Sequence, residues 1–98
     1  LGFIFDSGHA TALDRLGFFS FEGWLDRFSH RILGCHLHDV TGLDDHNAPG
    51  LGDVDFRHVA AHLPADAFRT LELHTRSTPE QVEAGLRYLA EKGAVSKV

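Results

Sequence analysis

A chain of 98 residues makes one domain at most, and at that size folding removes only about 60–70% of the unfolded surface from water. A hydrophobic share of 43% and a charged share of 23% exclude long disordered tracts, and no apolar run approaches the ~20 residues of a transmembrane helix. The net charge of −5, with 9 scattered Lys and Arg, weighs against grip on the phosphate backbone of nucleic acid.

No signal-peptide pattern is present, and the single Cys35 cannot form an intramolecular disulfide. A cytoplasmic location is therefore expected, with Cys35 a small buried hydrophobe. The chain starts at Leu1 on residues that already read as a strand, which suggests a fragment.

In chain order the first element is the apolar run "LGFIF" (residues 1–5) ending at Asp6, a predicted strand. "SFEGWLDRFSHRI" follows, with Phe21, Trp24, Leu25, Phe28 and Ile32 at helical spacing behind Ser20 as N-cap. A second strand is predicted over "ILGCHLH" (32–38), then a long irregular loop over 39–54. "DFRHVAAHL" reads as a helix capped by Asp55 and stopped by Pro64. The third strand is "FRTLELH" (68–74), and the last helix opens on the capping box Thr78-Pro79-Glu80-Gln81 and closes at Gly93.

This order is β-α-β-α-β-α, which implies parallel strands joined by crossover helices. Strand alternation then sorts the side chains. Phe3, Phe5, Cys35, Leu37, Leu71 and Leu73 suit the helix-covered face, which leaves Asp6, His36, His38, Glu72 and His74 on the other, near the carboxyl ends. Parallel sheets are normally apolar on both faces. A face that turns polar at its carboxyl end is explained by a (β/α)8 barrel, whose inward residues form the active-site mouth. Asp6, His36 and Glu72 fall at intervals of 30 and 36 residues (36 − 6 and 72 − 36), close to the ~31 per unit of such a barrel. The expected fold is thus three consecutive βα units of a partial TIM barrel, with a doubly wound open sheet as the competing layout.

Two carboxylates and an imidazole on successive strand ends form a mixed oxygen and nitrogen set. Such a set suits a divalent metal ion: Mn²⁺, Zn²⁺, Co²⁺ or Fe²⁺, with Mg²⁺ also in range.

"FIFDSGHA", then "GCHLHDVTGLDDHNAPGLGDVDF", then "LELH" together resemble the C-terminal part of the xylose isomerase-like TIM barrels. That family comprises the sugar phosphate isomerases and epimerases and the endonuclease IV-type enzymes of AP endonuclease family 2. The resemblance covers nearly the whole chain and makes residues 1–98 units six to eight of the barrel. It implies Asp6, His36 and Glu72 as metal ligands, with a further Glu on a preceding strand outside this chain. It gives His9 a substrate contact in the sugar enzymes and a second metal in the endonucleases, where Asp44 and His46 complete a multi-zinc site. Leu51 replaces a Glu common in the family's P-G-x-G stretch, Gly8 stands where the endonucleases have Cys, and no Arg follows the H-L-x-D stretch; the substrate is left open.

The implied activity is a metal-dependent sugar or sugar phosphate isomerisation or epimerisation through an enediolate, with Glu72 as base and His9 as a second catalytic group. His38 and Asp39 are expected to support these groups, Asp39 by fixing a histidine ring. The alternatives are an AP endonuclease-like multi-zinc hydrolase and a non-catalytic folded piece that self-associates through its exposed strand edges. The chain alone is expected to turn over little substrate. His30, His58 and His62 are expected to face solvent, His74 to lie in an exposed loop, Trp24 and the phenylalanines to be core, and Asp53 and Asp55 to be helix caps. Asp45 is given no special role.

Overall fold

The computed structural model describes residues 2–18 and 20–96. Leu1 and Phe19 lie outside the described residues. The first strand, β1, is Phe3–Asp6 and runs directly into a helix, α1, Ser7–Arg15. Helix α2 (Phe21–Phe28) passes through a short 3-10 turn (Ser29–Arg31) into β2, Ile32–Leu37. Strands β3 (Asp39–Thr41) and β4 (Asp44–Asn47) form a hairpin, followed by α3 (Phe56–His62), β5 (Phe68–Leu71) and α4 (Pro79–Lys92).

The protein is mixed α/β around a three-stranded sheet in the order β1-β2-β5, and both pairings are parallel. The expected caps form. Ser20 accepts from the Gly23 N–H, Asp55 from that of His58, and Thr78 closes a capping box with Gln81. Gly93 ends α4 at φ 83°, a left-handed position that glycine takes without a Cβ clash. No helix among the described residues is long and apolar enough to cross a membrane.

Two segments differ from their expected secondary structure. Residues 7–15 are helical although "SGHATALDR" is poor in strong helix formers. The Asp6 carboxylate caps this helix, and its small residues Ser7, Gly8, Ala10 and Thr11 are buried, which allows a close approach that larger side chains would block. The stretch 39–54 is not wholly irregular, since the β3–β4 hairpin turns through Gly42 at φ 62°, the glycine-first two-residue turn that favours hairpins.

On β1 and β2 the alternation of faces is as read; β5 stops at Leu71, which packs on the core, so Leu73 and His74 lie beyond the expected strand of 68–74. Phe5, Cys35 and Leu37 join Phe21, Leu25, Phe56, Val59 and Leu89 in one core. Trp24 packs on that core, edge-on to Phe3 at 4.7 Å and stacked on Phe5 at 5.5 Å. Not every phenylalanine is core. Phe18 is 74% and Phe68 47% exposed, and the Phe68 ring lies over Gly34, where a Cβ would stand 2.2 Å from it. Asp53 pairs with Arg15 at 2.7 Å rather than capping α3.

Cys35 is fully buried, and burial, with the nearby Asp6 charge, pushes its thiol up to about 12 from 9.0. Below pH 9.0 the thiol is neutral folded or unfolded. Above it the unfolded chain ionises while the folded one cannot, so stability is lost as pH rises through that window. The expected slope from Cys35 is about −1.4 kcal/mol per pH unit. Urea melts between pH 9 and 11 check it, and a Cys35→Ala chain with an equally steep decline would refute the assignment.

Candidate metal centre

The strand ends assemble as the alternation implies. Parallel pairing sets Asp6 beside His36, and the chain leaving β5 keeps Glu72 in line, its N–H donating to the Leu37 carbonyl at 3.1 Å. One donor atom from each of Asp6, His36 and Glu72 lies within 4.8 Å of the others. An ion of this class holds oxygen and nitrogen at about 2.0–2.2 Å, which puts opposite ligands roughly 4.2 Å apart. The trio thus needs only side-chain adjustments to close on an ion, and its donor chemistry fits one.

Around this trio runs an unbroken series in which imidazoles and carboxylates alternate. His36 Nδ1 meets Glu72 Oε2 at 2.9 Å, and Glu72 Oε1 meets His46 Nε2 at 2.9 Å. His46 Nδ1 meets Asp45 at 2.9 Å, and Asp45 meets His9 Nε2 at 2.9 Å. His9 Nδ1 approaches Asp6 Oδ2 at 3.2 Å, and Asp6 Oδ1 takes His38 Nε2 at 2.6 Å.

His38 stands behind the trio, as expected, and its tautomer is fixed by geometry. The His46 backbone N–H donates to its Nδ1 at 3.0 Å, a closer approach than that of the Asp39 carbonyl to the same nitrogen at 3.3 Å; together with the 2.6 Å contact of Nε2 with Asp6, this favours the ring proton on Nε2, pointing at Asp6. Both nitrogens are engaged. His9, His38 and His46 also bring donor atoms within 4.8 Å, but an ion there would displace a partner that His38 already holds, Asp6 at Nε2 or the His46 N–H at Nδ1. Ser7, fully buried, holds the same strand end, its hydroxyl donating to the His38 carbonyl at 2.8 Å and accepting the His38 N–H at 3.1 Å.

Asp39 has a different task from the one expected. Its carboxylate, 1% exposed, accepts the backbone N–H groups of Val40, Gly50 and Val54 at 3.0, 2.9 and 2.9 Å and so folds the loop, while its contact with a histidine ring is made by the main-chain carbonyl, 3.3 Å from His38 Nδ1. His46 is reached by the hairpin and sits at φ 57°, a left-handed position uncommon outside glycine. Its ring stacks on His38 at 4.3 Å. Asp44 is not brought to the centre; it is exposed and pairs with Arg76 at 2.6 Å. Its neighbour Asp45 takes the place between His9 and His46, and the only sequence signal for that was the hairpin turn at Gly42.

The electrostatics follow the pairings. Burial alone would raise the Asp6 carboxyl, but hydrogen bonds from His38 and the His9 backbone hold it below 3.8. Desolvation likewise works against Asp45, yet His9 and His46 keep it below its ordinary value. Desolvation would lower His46, and its bonds to Asp45 and Glu72 raise it above 6.5 instead. The His46 pairing therefore contributes in full below pH 6.5 and weakens as the pH rises through that raised value.

No family model, curated protein or solved structure matches the chain.

Proposed function

We propose that the chain is the C-terminal part, units six to eight, of a (β/α)8 barrel of the xylose isomerase-like kind, acting as a metal-dependent sugar or sugar phosphate isomerase or epimerase. The observation that carries this reading is the meeting of Asp6, His36 and Glu72 at the carboxyl ends of neighbouring parallel strands, where such barrels keep their chemistry. A divalent ion bound there supplies carbonyl polarisation and charge neutralisation. The chain's own groups do the rest. Glu72, its two oxygens steered by His36 and His46, takes and returns the proton next to the carbonyl. His9, with half its side chain open to solvent, offers its Nε2–H to a substrate hydroxyl once the exposed Asp45 carboxylate releases it. His38 fixes the orientation of Asp6.

The endonuclease alternative has less support, because Asp44, which its multi-zinc site would use, is turned to Arg76.

The test is Mn²⁺ binding to the chain followed by water-proton relaxation, then addition of an open-chain polyol. Asp6→Asn with Glu72→Gln is expected to raise the Mn²⁺ Kd at least about tenfold, and the polyol to displace ion-bound water. Unchanged Mn²⁺ affinity in the double variant sinks the centre; relaxation insensitive to the polyol sinks the sugar assignment.

A further inference from the structure

On the outer layer, α2 packs against α3, and Asp26, His58 and His62 meet there. One donor atom from each lies within 4.8 Å of the others, and none of the three takes part in the strand-end centre. His58 and His62 are a helical turn apart on one face of α3, their rings 4.5 Å between centroids. The sequence pattern assigns both to solvent; the structure half-buries them.

The hydrogen bonding of His62 is informative. Its Nδ1 lies 2.9 Å from the His58 carbonyl. A carbonyl only accepts, so Nδ1 carries the proton. In the neutral ring the lone pair is then on Nε2, which faces Asp26 Oδ1 at 2.8 Å. Two lone pairs at that distance need positive charge between them, from a second ring proton or from a cation. Anchoring one ring N–H on a main-chain carbonyl is also how metal-bound histidines are usually held.

His58 supplies an independent observation. Its Nε2 is buried and has no hydrogen-bond partner among the described residues, and a buried nitrogen left without a partner calls for a cause, an ion among them. Elsewhere its ring leans on Phe21 at 5.8 Å, an apolar wall that offers the nitrogen nothing.

We propose that Asp26, His58 and His62 form a second metal site, of the zinc class, that pins α2 to α3. Two imidazoles and one carboxylate are a borderline-soft set that suits Zn²⁺, with Co²⁺ as its coloured substitute. Three protein ligands leave one position for water. Asp26, 64% exposed, is free to swing the short distance that closes the set.

The experiment titrates the full chain carrying Asp6→Asn and Glu72→Gln with Co²⁺, read by visible absorption, and with Zn²⁺, read by calorimetry. One equivalent of either ion is expected to bind. Adding His62→Gln, which keeps a good helix former on α3, or Asp26→Asn on an exposed position, is expected to raise the Kd at least about tenfold. The companion measurement uses the unmutated chain, in which Zn²⁺ is expected to shift the imidazole ¹⁵N resonances of His58 and His62 saturably. Absence of Co²⁺ uptake, affinity unchanged by both substitutions, or unmoved His58 and His62 resonances overturns the site, and the second result would place the ion on His9, His38 and His46.

Discussion

Asp39→Ala is expected to destabilise the chain by about 3–5 kcal/mol, the largest effect of any single substitution near the centre. Its carboxylate accepts from three loop amides, those of Val40 and Val54 in buried bonds and that of Gly50 nearer the surface. Each buried donor left without a partner costs about 1–3 kcal/mol, more where the lost partner was charged. A domain of this length has on the order of 5–15 kcal/mol of stability in all. The loop that Asp39 folds follows the hairpin carrying Asp45 and His46, so metal affinity at the strand ends should fall with it. Asp39→Asn is predicted to be intermediate. Its amide oxygen can replace Oδ1 for Val40 and Val54, but its NH₂ would face the Gly50 N–H that Oδ2 now accepts. Urea unfolding measures both variants, and a loss under about 1 kcal/mol for the alanine would contradict the role.

Gly8→Ala is the second large effect, and here two physical terms have opposite signs. Inside a helix the exchange should stabilise by about 1 kcal/mol through propensity alone. A Cβ at position 8, however, would stand 2.2 Å from Cε1 and 2.3 Å from Nδ1 of His38. The His38 side chain is fully buried and bonded at both nitrogens, so it has nowhere to retreat. Overpacking of this kind costs about 1–3 kcal/mol, which outweighs propensity and makes the net change destabilising. Because His38 orients Asp6, the Mn²⁺ Kd should also rise, by roughly 10–100-fold. A stabilised Gly8→Ala chain with unchanged affinity would show that the ring can give way.

How much of this was legible in the sequence depends on the periodicity each part leaves. Asp6, His36 and Glu72 could be placed together because strands alternate faces with a period of two, and the apolar residues between them fix which face is which. The caps at Ser20, Asp55 and Thr78 were legible because capping is local chemistry. Helix α1 was not, since its formation depends on Asp6 capping it and on small residues buried against distant β2 and β3, neither of which produces an amphipathic stripe. The hairpin was hidden by "DDHN", a strand of polar residues held by the turn and by the contacts of His46 rather than by propensity. Asp39, Ser7 and Asp45 make partners far along the chain, and one sequence shows residue types without showing which backbone donors come near them.

The alternating imidazoles and carboxylates begin at His36 and end at His38, which are separated on the same stretch of chain by Leu37 alone. The series is therefore a hoop, and the backbone of β2 is its clasp. In an open line a displacement at one end fades toward the other; in a closed circuit of fixed circumference every link is restrained from both directions. Ser7 is the pin of that clasp, since its hydroxyl lies 3.3 Å from the His36 carbonyl and 2.8 Å from that of His38. A side chain of two heavy atoms, whose hydroxyl bonds to the main chain of His36 and His38 rather than to an acid, thus restrains how far the rim of the site can stretch.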